Sequence, residues 1–179
     1  MAKLRKAVAY RRIERPYTRK SKYRTQQFVR GTPTSKVVKY DMGDLKKDFQ
    51  YTISLRVDVG IQLRHNALES ARMTSNRMLE AKCGKTGYRL KLLVYPHHIL
   101  RENPLASGAG ADRMSTGMKK SFGKPIGLAA QVKKNQKIFS AYVDEPFLEI
   151  AKKAVDRAKH KIPCGCRLEI VKNKVEIKN

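Results

Sequence analysis

The clearest pattern in the chain is the alternation of Tyr51, Ile53, Leu55, Val57 and Val59 with Thr52, Ser54, Arg56 and Asp58, the period of a strand with one buried face. A shorter run, Lys36-Val37-Val38-Lys39-Tyr40, predicts that regular structure begins just before it. The period then changes. Leu68, Ala71, Ser75, Met78, Leu79 and Cys83 recur at helical spacing in a segment without Gly or Pro, and Gly84 supplies a stop, which predicts a helix over about 66–83. Tyr88, Leu90, Leu92 and Val94 return to period two and end at Pro96. Leu128, Ala130 and Val132, then Ile138, Ser140 and Tyr142, give two short strands that a turn at Lys134-Asn135-Gln136 would join as a hairpin.

Asp144 stands as a candidate N-cap with Pro146 in the first turn of a second helix, whose stripe is Phe147, Ile150, Ala151, Ala154, Val155 and Ala158. It ends near Lys161, before Pro163, and Arg157, Lys159, His160 and Lys161 suit the negative end of the helix dipole. Glu149 and Lys153 are spaced to pair on its surface. Leu168 with Ile170, and Val175 with Ile177, predict closing strands. The order predicts an α+β fold, a two-layer sandwich of a mostly antiparallel or mixed sheet with two helices on one face. It forms a single domain over 35–179, with a loop at 101–125 that lacks a strand pattern.

Charge changes the picture at the other end. The 179 residues carry 40 Lys and Arg against 15 Asp and Glu, a formal net charge of +25 with a pI near 10.3, which points to a polyanionic partner. Residues 1–39 hold thirteen of these cations and one acid, Glu14, with Tyr10, Tyr17, Tyr23 and Phe28 among them. So little apolar surface under so much like charge predicts that 1–34 is a basic arm ordered on its target. Cations interleaved with aromatics suit folded or single-stranded RNA, phosphates being neutralised and unpaired bases stacked. There is no signal-peptide run and no apolar stretch near the roughly 20 residues of a membrane span, so a soluble cytoplasmic protein is expected.

Enzymatic chemistry finds little support. The loop has Gly108, Gly110, Gly117 and Gly123, but a phosphate cradle needs Gly, four residues, then Gly-Lys and a hydroxyl. Here five residues separate Gly117 from Gly123-Lys124, and Pro125 replaces the hydroxyl. Arg113 stands where a dinucleotide fingerprint needs its third small residue. Cys164 and Cys166, with Cys83 and His160, His97 or His98, are conceivable metal ligands, but their spacing is poor and reduced cysteines at the start of a strand are the better reading. His97 and His98 read as RNA contacts or satisfied surface residues, and no paired carboxylates suggest acid and base work. Met114, Met118 and Phe122 read as an apolar anchor at the loop's base. No cofactor, metal or catalytic residue is expected.

The motifs "AGADR" (109–113), "TGM" (116–118) and "FGKP" (122–125) with Gly127, preceded by Arg101 and Asn103, resemble the central loop of the large-subunit ribosomal protein family L ten e, the archaeal and eukaryotic counterpart of bacterial L sixteen. The likeness extends to "ALESAR" with Asn76, "CGKTGYRL", "PHHILR" and "RPYTRKSKYR", with the arm and C-terminus following the archaeal pattern. It implies an α+β sandwich and a non-enzymatic ribosomal protein bound to ribosomal RNA, with tRNA and neighbouring ribosomal proteins as partners. The protein would help shape the aminoacyl-tRNA corridor near the peptidyl transferase centre. In the arm, Arg5, Lys6, Arg11, Arg12, Arg15, Arg19, Lys20, Lys22 and Arg24 would bind phosphates, and Tyr10, Tyr17 and Tyr23 would stack or hydrogen-bond. In the loop reaching toward the tRNA acceptor end, the residues implied are Arg101, Asn103, Ser107, Gly108, Gly110, Asp112, Arg113, Met114, Lys119, Lys120 and Lys124. Asp112 would pin Arg113 or cap a turn rather than do chemistry.

Overall fold

Period-two and period-3.6 segments sort into two antiparallel sheets and two helices in a computed structural model that describes residues 5–18, 23, 29, 31–102, 108 and 123–173. The strands are β1 (Asp41–Gly43), β2 (Tyr51–Val57), β3 (Ile61–Arg64), β4 (Tyr88–Leu92), β5 (His98–Glu102), β6 (Lys124–Val132), β7 (Lys137–Val143) and β8 (Cys166–Lys172). The helices are α1 (His65–Cys83) and α2 (Leu148–Lys159). One sheet runs β1-β4-β7-β2-β8 and the other β3-β6-β5, which bears out the α+β expectation. Among the described residues no helix is long and apolar enough to cross a membrane.

The large sheet turns Ile53, Leu55 and Val57 of β2 toward the helices, with Leu90, Phe139, Ala141 and Val143 beside them, all fully buried. Leu68, Ala71 and Leu79 of α1 and Ala151, Ala154, Val155 and Ala158 of α2 close that core. Small residues at the contact let the helices approach until Ser75 Oγ reaches the Ala154 carbonyl at 3.1 Å. On the opposite face Ser54 sits directly across from Ser140, and their buried hydroxyls satisfy one another at 3.1 Å. Around them lie the Arg56–Glu169 and Arg89–Asp41 ion pairs.

Four local expectations are corrected. Residues 36–40 are not a strand: the Lys36 N–H donates to His65 Nδ1 and the Val38 N–H to Glu69 Oε2, so α1 side chains take the donors a neighbouring strand would have used. The hairpin does not form either. β6 pairs with β3 and β5, while β7 pairs with β2 and β4, and the link between them crosses from one sheet to the other. Its turn is held from outside, by the Asn135 N–H on the Val57 carbonyl and the Val57 N–H on the Gln136 carbonyl. Asp144 caps nothing with its side chain; it binds Lys47 Nζ at 2.7 Å, and a short 3-10 turn, Glu145–Phe147, precedes α2. Glu149 pairs with Lys152 at i, i+3, one residue nearer than Lys153. Leu168 and Ile170 lie in β8, whereas Val175 and Ile177 fall outside the described residues.

Candidate nucleic-acid interface

The small sheet has two covered faces. One meets the main core, and against the other lies the basic arm, which explains why Leu128, Ala129, Ala130 and Val132 of β6 are nearly all buried instead of alternating. A second, smaller core joins Val29 of the arm to Ile99 and Leu128, with Tyr17 packed against it. Val29 is only 3% exposed, so the arm through 5–18 and at Val29 is not ordered by its target alone; a few apolar anchors and its own backbone dock it.

That backbone docking is made mostly by side chains of the sheet. Gln62 Nε2 donates to the Tyr10 carbonyl at 3.0 Å, and the Gln62 N–H donates to the Arg11 carbonyl at 2.9 Å. Gln131 Nε2 bridges the Glu14 carbonyl (2.7 Å) and Gln62 Oε1 (3.0 Å). Further along, the Tyr17 N–H donates to His98 Nδ1 at 2.8 Å, and the Tyr17 carbonyl accepts from the Ile99 N–H. Because the main chain makes these contacts, the arm's side chains are left to point elsewhere: Arg5, Lys6, Arg11, Arg12 and Arg15 are exposed. Two stay tied. Arg5 pairs with Glu102, and Arg64 donates to the Arg5 carbonyl at 2.9 Å while lying over the Tyr10 ring.

Tyr10 and Tyr17, expected as stacking surfaces for bases, are half-buried inside the protein. Arg101 lies 3.5 Å over the Tyr17 ring. Burial and the nearby Glu102 carboxylate push the Tyr10 hydroxyl above its ordinary pKa. Tyr23 is exposed. Arg19, Lys20, Lys22 and Arg24 lie outside the described residues.

The loop expected at 101–125 is shorter at its base than the sequence suggested. Arg101 and Glu102 end β5, and Lys124 and Pro125 begin β6, with Glu102 opposite Lys124. A Cβ at Gly123 would come within 2.7 Å of the Glu102 backbone, so only glycine lets the two arms of the loop close there. Gly108 has a positive φ of 127°. Asn103, Ser107, Gly110, Asp112, Arg113, Met114, Lys119 and Lys120 lie outside the described residues, as does the Met118 and Phe122 anchor.

The histidines divide. His98 is 5% exposed and serves as an internal acceptor for the arm, which corrects its reading as a surface or RNA residue. Burial lowers its pKa, as it does that of His65, so both are held neutral with a lone pair for a backbone donor. His97 is exposed and packs on Tyr95, which in turn stacks on Tyr40 with ring centroids 5.3 Å apart. Sequence reasoning passed over Gln62, Gln131 and this aromatic row. Both glutamines occupy strand positions that read as ordinary polar alternation, and nothing local marks their partners.

Other segments behind the family resemblance prove to be framework. In "ALESAR", Glu69 binds Arg72 by two hydrogen bonds and accepts from the Val38 N–H; the Arg72 bond, first among its causes, holds the Glu69 carboxyl below its usual pKa. Asn76 Oδ1 accepts from the Tyr88 hydroxyl at 2.7 Å. Among the described residues no three His, Cys, Asp or Glu side chains are placed to share a metal.

Comparison with known proteins agrees with these features. The family model described as ribosomal protein L16p/L10e matches residues 14–169. The chain is 46% identical over 177 residues to the large ribosomal subunit protein uL16 of Methanococcus maripaludis, covering 98% of this chain and 99% of the relative. It is 43% identical over 166 residues to that of Archaeoglobus fulgidus (93% and 92%), and 46% identical over 151 residues to that of Methanospirillum hungatei (84% and 89%). With nearly its whole length matched, the chain belongs to the L16p/L10e family of ribosomal proteins, structural constituents of the large ribosomal subunit and not enzymes.

Proposed function

We propose that this chain binds large-subunit ribosomal RNA through its docked arm and helps shape the corridor that receives aminoacyl-tRNA, with residues 103–122 as the segment that faces the tRNA acceptor end. The observation that carries the reading is the placement of the arm. Arg5 meets Glu102, and Tyr17 lies under Arg101, at the strand pair from which 103–122 departs. The arm therefore lies beside the strand ends from which 103–122 departs, so that a single RNA surface can engage both. Docking by main-chain atoms leaves Arg11, Arg12 and Arg15 exposed for phosphates. Family membership already puts the chain in the large subunit of the cytoplasmic ribosome; the proposal concerns which residues hold RNA there.

The test is the salt dependence of binding to large-subunit ribosomal RNA. Counterion release gives a slope of about 0.7 to 0.9 units of log K per neutralised phosphate. Replacing Arg11, Arg12 and Arg15 singly by Gln should lower the slope by about that amount each. Unchanged slopes would show that the arm's exposed arginines do not touch phosphate.

A further inference from the structure

Cys164 and Cys166 flank Gly165 at the start of β8 and take no part in the docking of the arm described above. Their sulfurs are 3.8 Å apart, and both are free thiols. A disulfide needs about 2.05 Å between sulfurs, so the two must move closer before a bond can form.

The two thiols are unlike. Cys166 is 3% exposed and packs in the main core, opposite Val57 of β2, whereas Cys164 is partly accessible from solvent. The Cys166 thiol lies within hydrogen-bonding reach of the Cys164 sulfur. That bond, the largest influence on Cys164, draws its pKa below the ordinary thiol value against the opposing effects of burial and Asp58. The same bond, together with burial, holds Cys166 well above the ordinary range. A partly exposed thiol that ionises more readily, backed by a buried protonated one, is the arrangement of an attacking and a resolving cysteine.

The backbone between them is fixed. The Asp58 N–H donates to the Gly165 carbonyl at 3.0 Å, and the Asp58 carboxylate lies so close that a Cβ at residue 165 would come within 2.8 Å of Oδ2. Arg167 Nε holds the other carboxylate oxygen. A side chain at 165 would therefore meet only the end of the Asp58 side chain, which would have to shift aside.

We propose that Cys164 and Cys166 form a reversible dithiol–disulfide site that reacts with low-molecular-weight disulfides of the glutathione class. The Cys164 thiolate attacks one sulfur of the small disulfide, forming a mixed disulfide and expelling one small thiol. Cys166 then gives up its proton and attacks the Cys164 sulfur, expelling the second. The two protein thiols are oxidised, the small disulfide is reduced to two thiols, and both protons leave on them. Closing the bond draws Cys166 away from its core position beside Val57, so the oxidised form is strained and readily reduced.

The experiment uses the purified full-length protein, equilibrated with oxidised and reduced glutathione at a series of ratios, alkylated after unfolding, and mapped by peptide mass. Two tags should vanish together from the peptide carrying 164 and 166 and return with excess reduced glutathione. Cys83, buried at the end of α1 with its thiol pushed up by burial, should keep its tag throughout. Cys166→Ala should accumulate glutathione on Cys164, and Cys164→Ala should leave Cys166 unmodified; circular dichroism confirms that each variant is folded. The proposal is overturned if the pair stays reduced at every ratio, if Cys83 is oxidised at the same ratio, if oxidation is not reversed, or if Cys166→Ala gathers no adduct. None of these outcomes bears on the RNA reading, which rests on other residues.

Discussion

Replacing Gln62 by Leu tests whether the arm is held by the sheet as described. Leu keeps most of the side-chain volume at a position 2% exposed but removes the donor to the Tyr10 carbonyl and the acceptor for Gln131 Nε2. The main-chain bond from Gln62 N–H to the Arg11 carbonyl survives, as does the second contact of Gln131, with the Glu14 carbonyl. Two hydrogen bonds are lost at a net cost of roughly 1 kcal/mol each, so docking of residues 10–14 should weaken by about 2 kcal/mol. That corresponds to about a 30-fold shift in the local opening equilibrium. Hydrogen exchange reads it directly. The amides of Gln62 and Tyr17, bonded across this junction, should exchange about 30-fold faster, while core amides of β2 and β7 should not change. The reasoning fails if protection at Gln62 and Tyr17 is unaltered, or if the large sheet loses protection by the same factor, since the glutamine would then support the whole fold and not the arm.

Two further predictions concern buried polar groups. His98 and His65 are held neutral by burial, so their folded pKa values lie below the unfolded value near 6.5. The unfolded chain then binds more protons: the stability each contributes is complete above about pH 6.5 and is lost as pH falls toward the folded pKa, at up to about 1.4 kcal/mol per pH unit for each. Denaturant titration from pH 7.5 to 5.5 should show this loss; with both histidines replaced by Gln the slope should flatten, and an unchanged slope would place the titration elsewhere. For the buried hydroxyl pair, Ser54→Ala should cost about 1 to 2 kcal/mol by stranding Ser140, while the double replacement with Ser140→Ala should cost no more than the single one. Additive losses in the denaturation midpoints would show that the hydroxyls do not depend on each other.

Elements that bury one face of a single segment were legible from their own residues. The β2 alternation and the α1 and α2 stripes appear in the fold nearly where the periods put them, because each side chain's burial follows from its place in its own segment. Pairing was not legible. The residues Lys134-Asn135-Gln136 make a turn whether the flanking strands pair with each other or part to different sheets, and the deciding bonds come from Val57, far back in the chain. The arm misled for a related reason. Its sequence has few apolar residues, yet Val29 and Tyr17 supply an anchor, and the remaining docking uses carbonyls that every sequence has. Its partners, Gln62, His98 and Gln131, are 52, 81 and 117 residues away along the chain from Tyr10, Tyr17 and Glu14 respectively. Of the candidate site, charge marked the arm and the family resemblance pointed to the loop, but only the fold brings Arg5 to Glu102 and Tyr17 to Arg101, setting the arm beside the strand ends from which 103–122 departs.

The most direct test of that joint surface is photocrosslinking in intact large subunits carrying the full chain with a photoreactive residue in place of Arg113, and a second preparation with one in place of Arg12. The account predicts that the probe at 113 crosslinks to the acceptor end of bound aminoacyl-tRNA and that the probe at 12 crosslinks to ribosomal RNA, with or without tRNA. Crosslinks from 113 that reach only neighbouring proteins when tRNA is bound would contradict it.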